Sequence, residues 1–426
     1  MEIIIEKIVY PGKSLGSYQG KKIFTDEGLP GELINIQITK EKNNYLEAKT
    51  LNIIKPSNNR IKPLCSHFKI CSGYQYIKYP LQLDIKQNQI KEMFKHHLNI
   101  ILDGEIIKAS PQILGYRNKA HLNIIWKNST PRLAYNQPQS SDLYAEIDDC
   151  SLFSNNINKL LKAFLKIVSD KKMDFIKEII VKESASTKQM LLGLYVTKLK
   201  NKENTYKTLS SLKDSFPLKG IICLIEENKS FKEITLFGEN ILEENIGGKI
   251  FSFGIQSFFQ INTAMLQELV KNIKAEFLAI EKKRIIDFYC GVGTLGITLA
   301  LDKTKLIAVE LSHENIYFLR KNIAANNIKN FDIYEGASEK LINNVLSKPT
   351  DLLIVDPPRA GLDSNDSEGI AEKHNASFIL NLSCNPATLI RDLKILLKQY
   401  KLKTLGLYDF FPQTPHIETL CILEKI

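Results

Sequence analysis

An α/β fold for the C-terminal part of the chain, preceded by a small β-barrel and a central α+β region, is the architecture the sequence predicts. Three observations carry it. From about residue 250 onward, apolar strand-like runs alternate with helical patterns, as in a parallel sheet wrapped by helices. Residues 1–58 instead hold short apolar runs separated by turn signals, the pattern of a small all-β unit. Residues 59–248 hold a Cys-containing segment and a helical stretch, and from 151 to about 248 helix and strand patterns alternate without a recognisable motif. At 426 residues the chain exceeds one ordinary domain, so the expected division is 1–58, 59–248 and 249–426.

In the first part the candidate strands include Ile3 to Ile5, Ile34 to Ile38 and Leu51 to Ile54, with turns at Pro11-Gly12, Gly20 and Pro30-Gly31. The run Ile34-Asn-Ile-Gln-Ile-Thr alternates with the period of two of a half-buried strand. Small barrels of the OB kind commonly bind nucleic acid; a purely structural barrel is the alternative. Next comes Cys65-Ser-His-Phe-Lys-Ile-Cys71, two thiols with a His between them, and Cys150 follows later. Two or three Cys of this kind are weak ground for a metal site, since iron–sulfur clusters usually take four thiolates. Residues 79–99 fit a helix with Ile90, Met93, Phe94 and Leu98 on one face. Gly115 to Trp126 reads as a turn into a strand, and Arg117 and Lys119 in it are either phosphate binders or strand-edge charges. Residues 151–248 contain no recognisable motif and are expected to serve folding.

Composition excludes several classes. No apolar run reaches the roughly 18 residues of a membrane span. The N-terminus, Met1-Glu-Ile-Ile-Ile-Glu-Lys7, lacks the pattern of a secretory leader. Seven Cys, an odd number in a long chain, argue against a disulfide framework and for a cytoplasmic protein. Lys and Arg number 57 against 47 acids, a net charge of +10, which suits a polyanionic partner.

The C-terminal part carries the chemistry. A helix (Thr263 to Ile280) precedes the strand Arg284-Ile-Ile-Asp-Phe-Tyr289. Then come Gly291-Val-Gly293-Thr-Leu-Gly296, a second helix, and the strand Lys305 to Glu310. Glycines after a strand, with an acid at the next strand end, form the fingerprint for a bound adenosine. The glycines let the backbone approach a nucleotide, and Glu310 takes the ribose hydroxyls. NAD and S-adenosylmethionine share that requirement. The loop Asp356-Pro-Pro-Arg359, after the strand Asp351 to Asp356, favours the second, because such a loop suits a planar base: the carboxylate accepts from ring NH groups and the prolines stiffen it. The strand Phe378 to Leu382 runs into Ser383-Cys384-Asn-Pro-Ala-Thr388, where Asn385 suits an N-cap and Pro386 the first helical position. Cys384 is thus expected at the carboxyl end of a strand, where α/β sheets place their sites, against a helix N-terminus that favours thiolate. Taken locally, a nucleophile and a small buried Cys are equally consistent with this stretch. Leu405 to Phe410 and Glu418 to Leu423 are close enough to form a hairpin at the sheet edge.

Taken together, Phe259-Gln260-Ile-Asn262, Asp287-Phe-Tyr-Cys-Gly-Val-Gly293, Asp356-Pro-Pro-Arg359, Ser383-Cys384-Asn-Pro-Ala-Thr388 and Asp409 to Glu418 resemble the RNA uracil-5-methyltransferase family. The resemblance spans almost the whole chain. Tyr10 to Leu29-Pro-Gly-Glu32 is similar to the TRAM domain, an RNA-binding module. The fold it implies is a Rossmann-like class I methyltransferase domain behind a TRAM/OB-like barrel and a central α+β domain. By the resemblance Cys384 is the nucleophile that adds to carbon 6 of uracil, and Glu418 is the base that removes the carbon-5 proton. Gln260, Tyr289, Thr294, Glu310 and Asp356 match positions that hold S-adenosylmethionine or the base; family members often have Asn where Thr294 stands. Many members also carry Cys-x5-Cys-Gly-Gly-Cys and a later Cys that bind a 4Fe-4S cluster. Cys65, Cys71 and Cys150 match three of these ligands and the remaining one is missing, so loss of the 4Fe-4S cluster is expected, a labile cluster completed by an outside ligand such as His67 being the alternative. The TRAM-like start points to 23S rRNA as substrate, with tRNA as the alternative; the family resemblance implies 5-methyluridine as product, and a monomer is expected. An RNA-binding protein on a catalytically silent scaffold is the rival class; the presence of both Cys384 and Glu418 speaks against it.

Overall fold

The computed structural model describes all residues except 138–139, 200, 228–229, 347 and 374–375. By internal contacts the chain forms two compact units, Met1–Ala109 with Phe411–Ile417, and Ser110–Phe410 with Glu418–Ile426.

In the first unit, β1 (Glu2–Val9), β2 (Lys13–Tyr18), β3 (Lys21–Thr25), β4 (Leu33–Glu41) and β5 (Tyr45–Lys55) close into a barrel in the order β1-β2-β3-β5-β4. Strand alternation decides its interior. Ile3, Ile5, Ile23, Ile34, Ile36 and Leu46 point inward as one cluster, while Glu2, Ile4 and Glu6 of β1 face out. Two helices follow, α1 (Phe68–Cys71) and α2 (Tyr79–Leu98), then a two-residue strand β6 (Ile107–Lys108). Phe68, Tyr74, Tyr76, Ile77 and Ile85 form a second cluster with Ile8 and Leu29 of the barrel. Residues 411–417 are held in this unit by Gln82, whose Nε2 donates to Gln413 Oε1 at 2.9 Å and whose Oε1 accepts from Gln413 N at 2.9 Å.

Glu32 is the buried polar anchor of the barrel. Its carboxylate takes a two-pronged contact from Arg60, Nε to Oε1 at 2.7 Å and Nη2 to Oε2 at 2.8 Å, and also accepts from Leu29 N and Ser57 N.

In the second unit a seven-stranded sheet comes first. Its strands are β7 (Lys119–Lys127), β8 (Thr130–Gln137), β9 (Ser140–Ile147), β10 (Ile176–Glu183), β11 (Met190–Val196), β12 (Leu218–Glu227) and β13 (Ser230–Gly238), in the order β13-β12-β11-β10-β7-β8-β9. Helices α3 (Asn155–Asp170), α4 (Lys202–Leu209) and α5 (Ser211–Ser215) belong to the same segment. Leu160, Leu161 and Phe164 of α3 share one core with Ile179, Val181, Leu192 and Leu194 of the sheet. A hairpin of β14 (Leu242–Ile246) and β15 (Lys249–Phe253) leads to α6 (Thr263–Glu276).

The second sheet then forms. Its elements are β16 (Arg284–Phe288), α7 (Thr294–Leu299), β17 (Lys305–Glu310), α8 (His313–Ala325), β18 (Phe331–Glu335), α9 (Ser338–Val345), β19 (Thr350–Val355), α10 (Ser364–Lys373), β20 (Ala376–Ser383), α11 (Pro386–Leu396), β21 (Tyr400–Tyr408) and β22 (Glu418–Lys425). Within this unit the strand order is β18-β17-β16-β19-β20-β22-β21. Strands β18 to β20 are parallel neighbours, and β22 runs antiparallel to both β20 and β21. This is the α/β sheet expected from the alternating pattern. The strand β18 escapes a sequence reading: Phe-Asp-Ile-Tyr-Glu is short, mixed in polarity and largely exposed, so no buried face shapes its pattern.

The barrel anchor gives a stability prediction. Burial opposes ionisation of Glu32, yet the Arg60 guanidinium and the two N–H donors hold its carboxyl below the ordinary value. A depressed carboxyl stabilises fully above its unfolded pKa and loses that contribution as pH falls through the folded value. Glu32→Ala leaves Arg60 with Glu27 alone, a contact at 2.5 Å, and should cost about 3 kcal/mol. Hydrogen exchange of the β1–β5 amides checks this, and acid should bring the wild-type barrel toward the variant.

Candidate active site

The carboxyl ends of β16, β17, β19 and β20 lie side by side because their registers align. Phe288 pairs with both Val309 and Val355, so the next residues along, Tyr289, Glu310 and Asp356, form one row at the sheet edge. Val355 pairs with Asn381, which brings β20 into the same row. On its other side β20 meets β22 with Ser383 opposite Thr419. One residue further, Cys384 stands across from Glu418. Antiparallel partners share a face of the sheet, so the thiol and the carboxyl point the same way.

The nucleotide loop follows β16. Tyr289 takes a left-handed conformation with φ of 58°, rare for a bulky residue, and Gly291 and Gly293 follow with φ of 55° and 89°. Nothing stands within 4 Å of where a Cβ on Gly291 would lie, so the loop leaves open space. Glu310 ties this loop to its own turn: Oε2 accepts from Gly291 N at 2.9 Å, and Oε1 accepts from Leu311 N and Ser312 N at 3.0 and 2.7 Å. Asp287 closes the loop from below by accepting from Gly296 N at 2.9 Å. Burial, with Asp356 and Glu310 adding repulsion against the Gly296 N–H, pushes its carboxyl up to about 8. Gly296 has to be a glycine, because a Cβ there would sit 2.6 Å from Asp287 Oδ2. Thr294 opens α7 and is half-buried.

Cys384 sits between the last residue of β20 and the N-cap of α11, as the sequence reading expected. Asn385 accepts from Ala387 N at 3.1 Å as the cap, and its Nδ2 donates to Arg359 O at 2.9 Å. Arg391 Nη2 donates to Ala360 O and Leu362 O, and Asp392 accepts from Leu362 N. The start of α11 therefore fixes the Asp356-Pro-Pro-Arg359 loop beside the thiol. Gly361 allows this approach, since a Cβ would meet Arg391 Nη2 at 2.5 Å.

Gln260 belongs to a strap, residues 254–261, that joins β15 to α6. Asn118 donates from Nδ2 to Gln260 O and to Thr263 Oγ1, both at 3.0 Å, and from its backbone N to Ile261 O at 3.0 Å. Asn262, fully buried, caps α6 through Met265 N and donates to Ser110 Oγ and Phe410 O.

Comparisons with known proteins agree with this arrangement. Residues 78–426 match the family described as tRNA (uracil-5-)-methyltransferase, and residues 1–51 match the TRAM domain. The chain belongs to the tRNA (uracil-5-)-methyltransferase family. It is 30% identical to an uncharacterized RNA methyltransferase of Fusobacterium nucleatum, covering 100% of this chain and 96% of that one. It is 28% identical to one of Clostridium acetobutylicum, covering 100% and 97%. Its fold is similar to that of the Pyrococcus abyssi tRNA (uracil-54, C5)-methyltransferase, solved in complex with S-adenosyl-L-homocysteine. The TM-score there is 0.78 at 24% identity, over 99% of each chain. The chain is thus an S-adenosylmethionine-dependent RNA methyltransferase of the uracil-5 family.

One expectation for this methyltransferase needs correction. The helix N-terminus does not leave Cys384 as a ready thiolate. Burial and the Glu418 carboxyl, with Asp356 adding to them against Arg359, push the thiol up to about 11. Burial and these two carboxyl groups together outweigh the partial charge of one helix turn. Burial likewise raises Asp356 to about 7 and Glu418 well above the carboxylate range, Asp356 adding to it. Cys65, Cys71 and Cys150 were expected as remnants of a cluster site. Cys65 Sγ donates to Gln75 Oε1 at 3.4 Å, Cys71 Sγ to His67 O at 3.8 Å, and Cys150 accepts from Tyr135 at 4.0 Å. Among the described residues no group of three or more His, Cys, Asp or Glu is gathered to hold a metal. The donor set present does not fit a cluster, and no step below uses one.

Sequence marked Asn385 as a cap but did not single out Asn118 or Asn262. Asn262 stands inside the Phe259-Gln260-Ile-Asn262 motif, directly before a helix, where an N-cap is expected.

The thiol environment predicts slow alkylation at neutral pH. Carboxamidomethylation of Cys384 in the free enzyme should rise about tenfold per pH unit from pH 7 to 10, following thiolate abundance. Glu418→Gln should speed it at fixed pH, since a carboxyl no longer opposes thiolate. Peptide mass spectrometry reads the modified fraction, and a profile already flat above pH 8 would contradict the assignment of charges.

Proposed function

We propose that the enzyme methylates carbon 5 of a uridine in 23S rRNA through a covalent adduct between Cys384 and carbon 6. The observation that carries this reading is the register of β20 on β22, which sets Cys384 opposite Glu418 beside Asp356. Carbon 5 of uracil is a poor nucleophile. Bond formation between Cys384 Sγ and carbon 6 moves the ring double bond toward the carbonyl and makes carbon 5 enolate-like. The thiol, half-exposed, gives its proton to water as that bond forms. S-adenosylmethionine supplies an electrophilic methyl group. Gln260, Tyr289, Thr294 and Glu310 would hold it: the open space over Gly291 and the carboxylate of Glu310 suit an adenosine. Asp356 accepts from the ring NH of the base, and the two prolines keep its loop rigid. Glu418 then takes the carbon-5 proton; the double bond re-forms and the Sγ–carbon 6 bond breaks. Its Oε2 is buried without a hydrogen-bond partner, which leaves that oxygen available for a substrate proton. The target base must leave its stack to reach Cys384, at a cost of about a few kcal/mol.

The choice of 23S rRNA rests on the N-terminal TRAM domain. The full-length fold similarity to an enzyme named for tRNA uracil-54 supports a second reading, tRNA. The two separate by experiment: unmodified 23S rRNA and tRNA are incubated with enzyme and labelled S-adenosylmethionine, then mapped by nuclease digestion and mass spectrometry. 5-Methyluridine at one site of 23S rRNA is the expected result, and label confined to tRNA would overturn the substrate assignment.

The two catalytic residues act at different steps, so their variants should differ in kind. Cys384→Ala should abolish both methylation and any covalent RNA complex. Glu418→Gln should methylate once and stay bonded to the RNA, because removal of the proton loses about a hundred- to ten-thousandfold. A denaturing gel shows this as a band shift that requires Cys384. Turnover by Glu418→Gln at the wild-type rate, without the adduct, would mean another group is the base.

A further inference from the structure

We infer that Lys182 is a positioning residue for the strap that carries Gln260, holding it as a neutral amine from the seven-stranded sheet. The inference rests on the reading of Gln260 as a cofactor- or base-holding residue. Lys182 is on β10 and only 3% exposed. Its Nζ donates to Gly254 O at 2.7 Å and to Ser257 O. Those two carbonyls match the two hydrogens of an uncharged amine. The strap is held elsewhere as well. Ser257 Oγ accepts from Gly254 N at 3.0 Å and donates to Glu314 Oε1 at 2.9 Å. Phe258 N donates to Asn315 Oδ1 at 3.3 Å. Glu314 and Asn315 stand in the first turn of α8, whose N-cap Ser312 follows Glu310 and Leu311. The strap thus runs between the seven-stranded sheet and the loop that would hold the ribose.

Three further observations fit. Gly193 on β11 leaves room for the strap: a Cβ there would lie 2.6 Å from Ile255 Cγ1. Phe253 and Phe259, at the two ends of the bend, stack with centroids 4.3 Å apart and planes at 11°. Lys182 also pairs in register with Lys119 of β7, and Lys119 makes no ion pair among the described residues. Two ammonium groups on one face, directly opposite, repel. A neutral Lys182 removes that repulsion, and burial lowers the Lys119 amine as well. Burial, then the charge of Lys119, drive the Lys182 amine well below its ordinary value, with Glu314 acting in the other direction. Together Lys182 and Asn118 satisfy four carbonyls of the strap, those of Gly254, Ser257, Gln260 and Ile261. The segment that showed no motif in the sequence therefore sets the position of a predicted site residue.

The test uses the full-length enzyme. Lys182→Met removes the donors, Lys182→Gln keeps an uncharged NH2, and Ser257→Ala cuts the strap from Glu314 without touching the buried amine. Calorimetry measures the Kd of S-adenosyl-L-homocysteine, and hydrogen exchange follows the strap amides. Lys182→Met should raise that Kd at least tenfold and speed exchange over residues 254–260, with bulk-RNA affinity in a filter assay unchanged within twofold. Lys182→Gln should recover most of the loss, a rescue that the loss of a mere space-filling stem would not show. Wild-type Kd in folded Lys182→Met overturns the inference. If Lys182→Met does not fold, Ser257→Ala decides: a raised Kd supports the inference, and a wild-type Kd overturns it. Gln260→Ala is the control for the underlying reading. If Gln260→Ala changes neither the Kd nor turnover, the reading of Gln260 fails, and the role of Lys182 falls with it.

Discussion

The antiparallel pairing of β22 with β20 is the constraint on which the reaction site depends. Without β22 the sheet would present Cys384, Asp356 and Glu310 at its carboxyl edge, but no carboxyl would face the thiol. Because β22 runs in the opposite direction, it is its first residue, Glu418, that arrives at that edge. The residue before the active strand is therefore part of a long connection from β21, and the chain has to travel away and return to deliver one side chain. The ladder hydrogen bonds of β20 and β22 fix that residue to within the width of a pleat. Few side-chain contacts are then needed to aim it.

The same economy is visible around the loops. One helix start, at α11, supplies Cys384, the cap Asn385, and the clamp Arg391 on the Asp356 loop. One acid, Glu310, bonds both to the glycine loop and to its own turn. These polar ties hold loops that have no apolar core of their own. They also concentrate carboxyl groups in a space with little water. The result is a site in which burial raises the Cys384 thiol and the Asp356 and Glu418 carboxyls. A cationic methyl donor entering such a site would meet groups that ionise more readily in its presence, which is the direction the chemistry requires.

The seven-stranded sheet gives no hint of this in its sequence, and the reason is physical. Its pattern reports only which residues face the core shared with α3 to α5. The opposite face is covered in part by a segment far along the chain, the strap at 254–261. Lys182, inside the apolar run Ile179-Ile-Val-Lys182, is the one local irregularity that could have marked the contact. Asn118 offered a weaker mark, since an Asn before a strand is common and its partners, Gln260 and Thr263, lie more than a hundred residues away.

What the sequence determined by itself was local in origin. The barrel strands, the α/β alternation, the glycine turn after β16 and the cap before α11 follow from periodicity and from the backbone needs of glycine, asparagine and proline. The motifs, each a few residues long, pointed to Cys384, Glu418, Asp356 and Glu310, which the strand registers bring to one edge of the sheet. What only the tertiary structure decided was their charge and their support. Neither can be read from neighbours in sequence, because both depend on groups brought together from different strands. The helix N-terminus at Cys384 is a local feature and argued for thiolate. Burial, with Glu418 and Asp356 placed beside it by strand register, reverses that argument, since loss of water penalises the thiolate by more than the partial charge at one helix end restores.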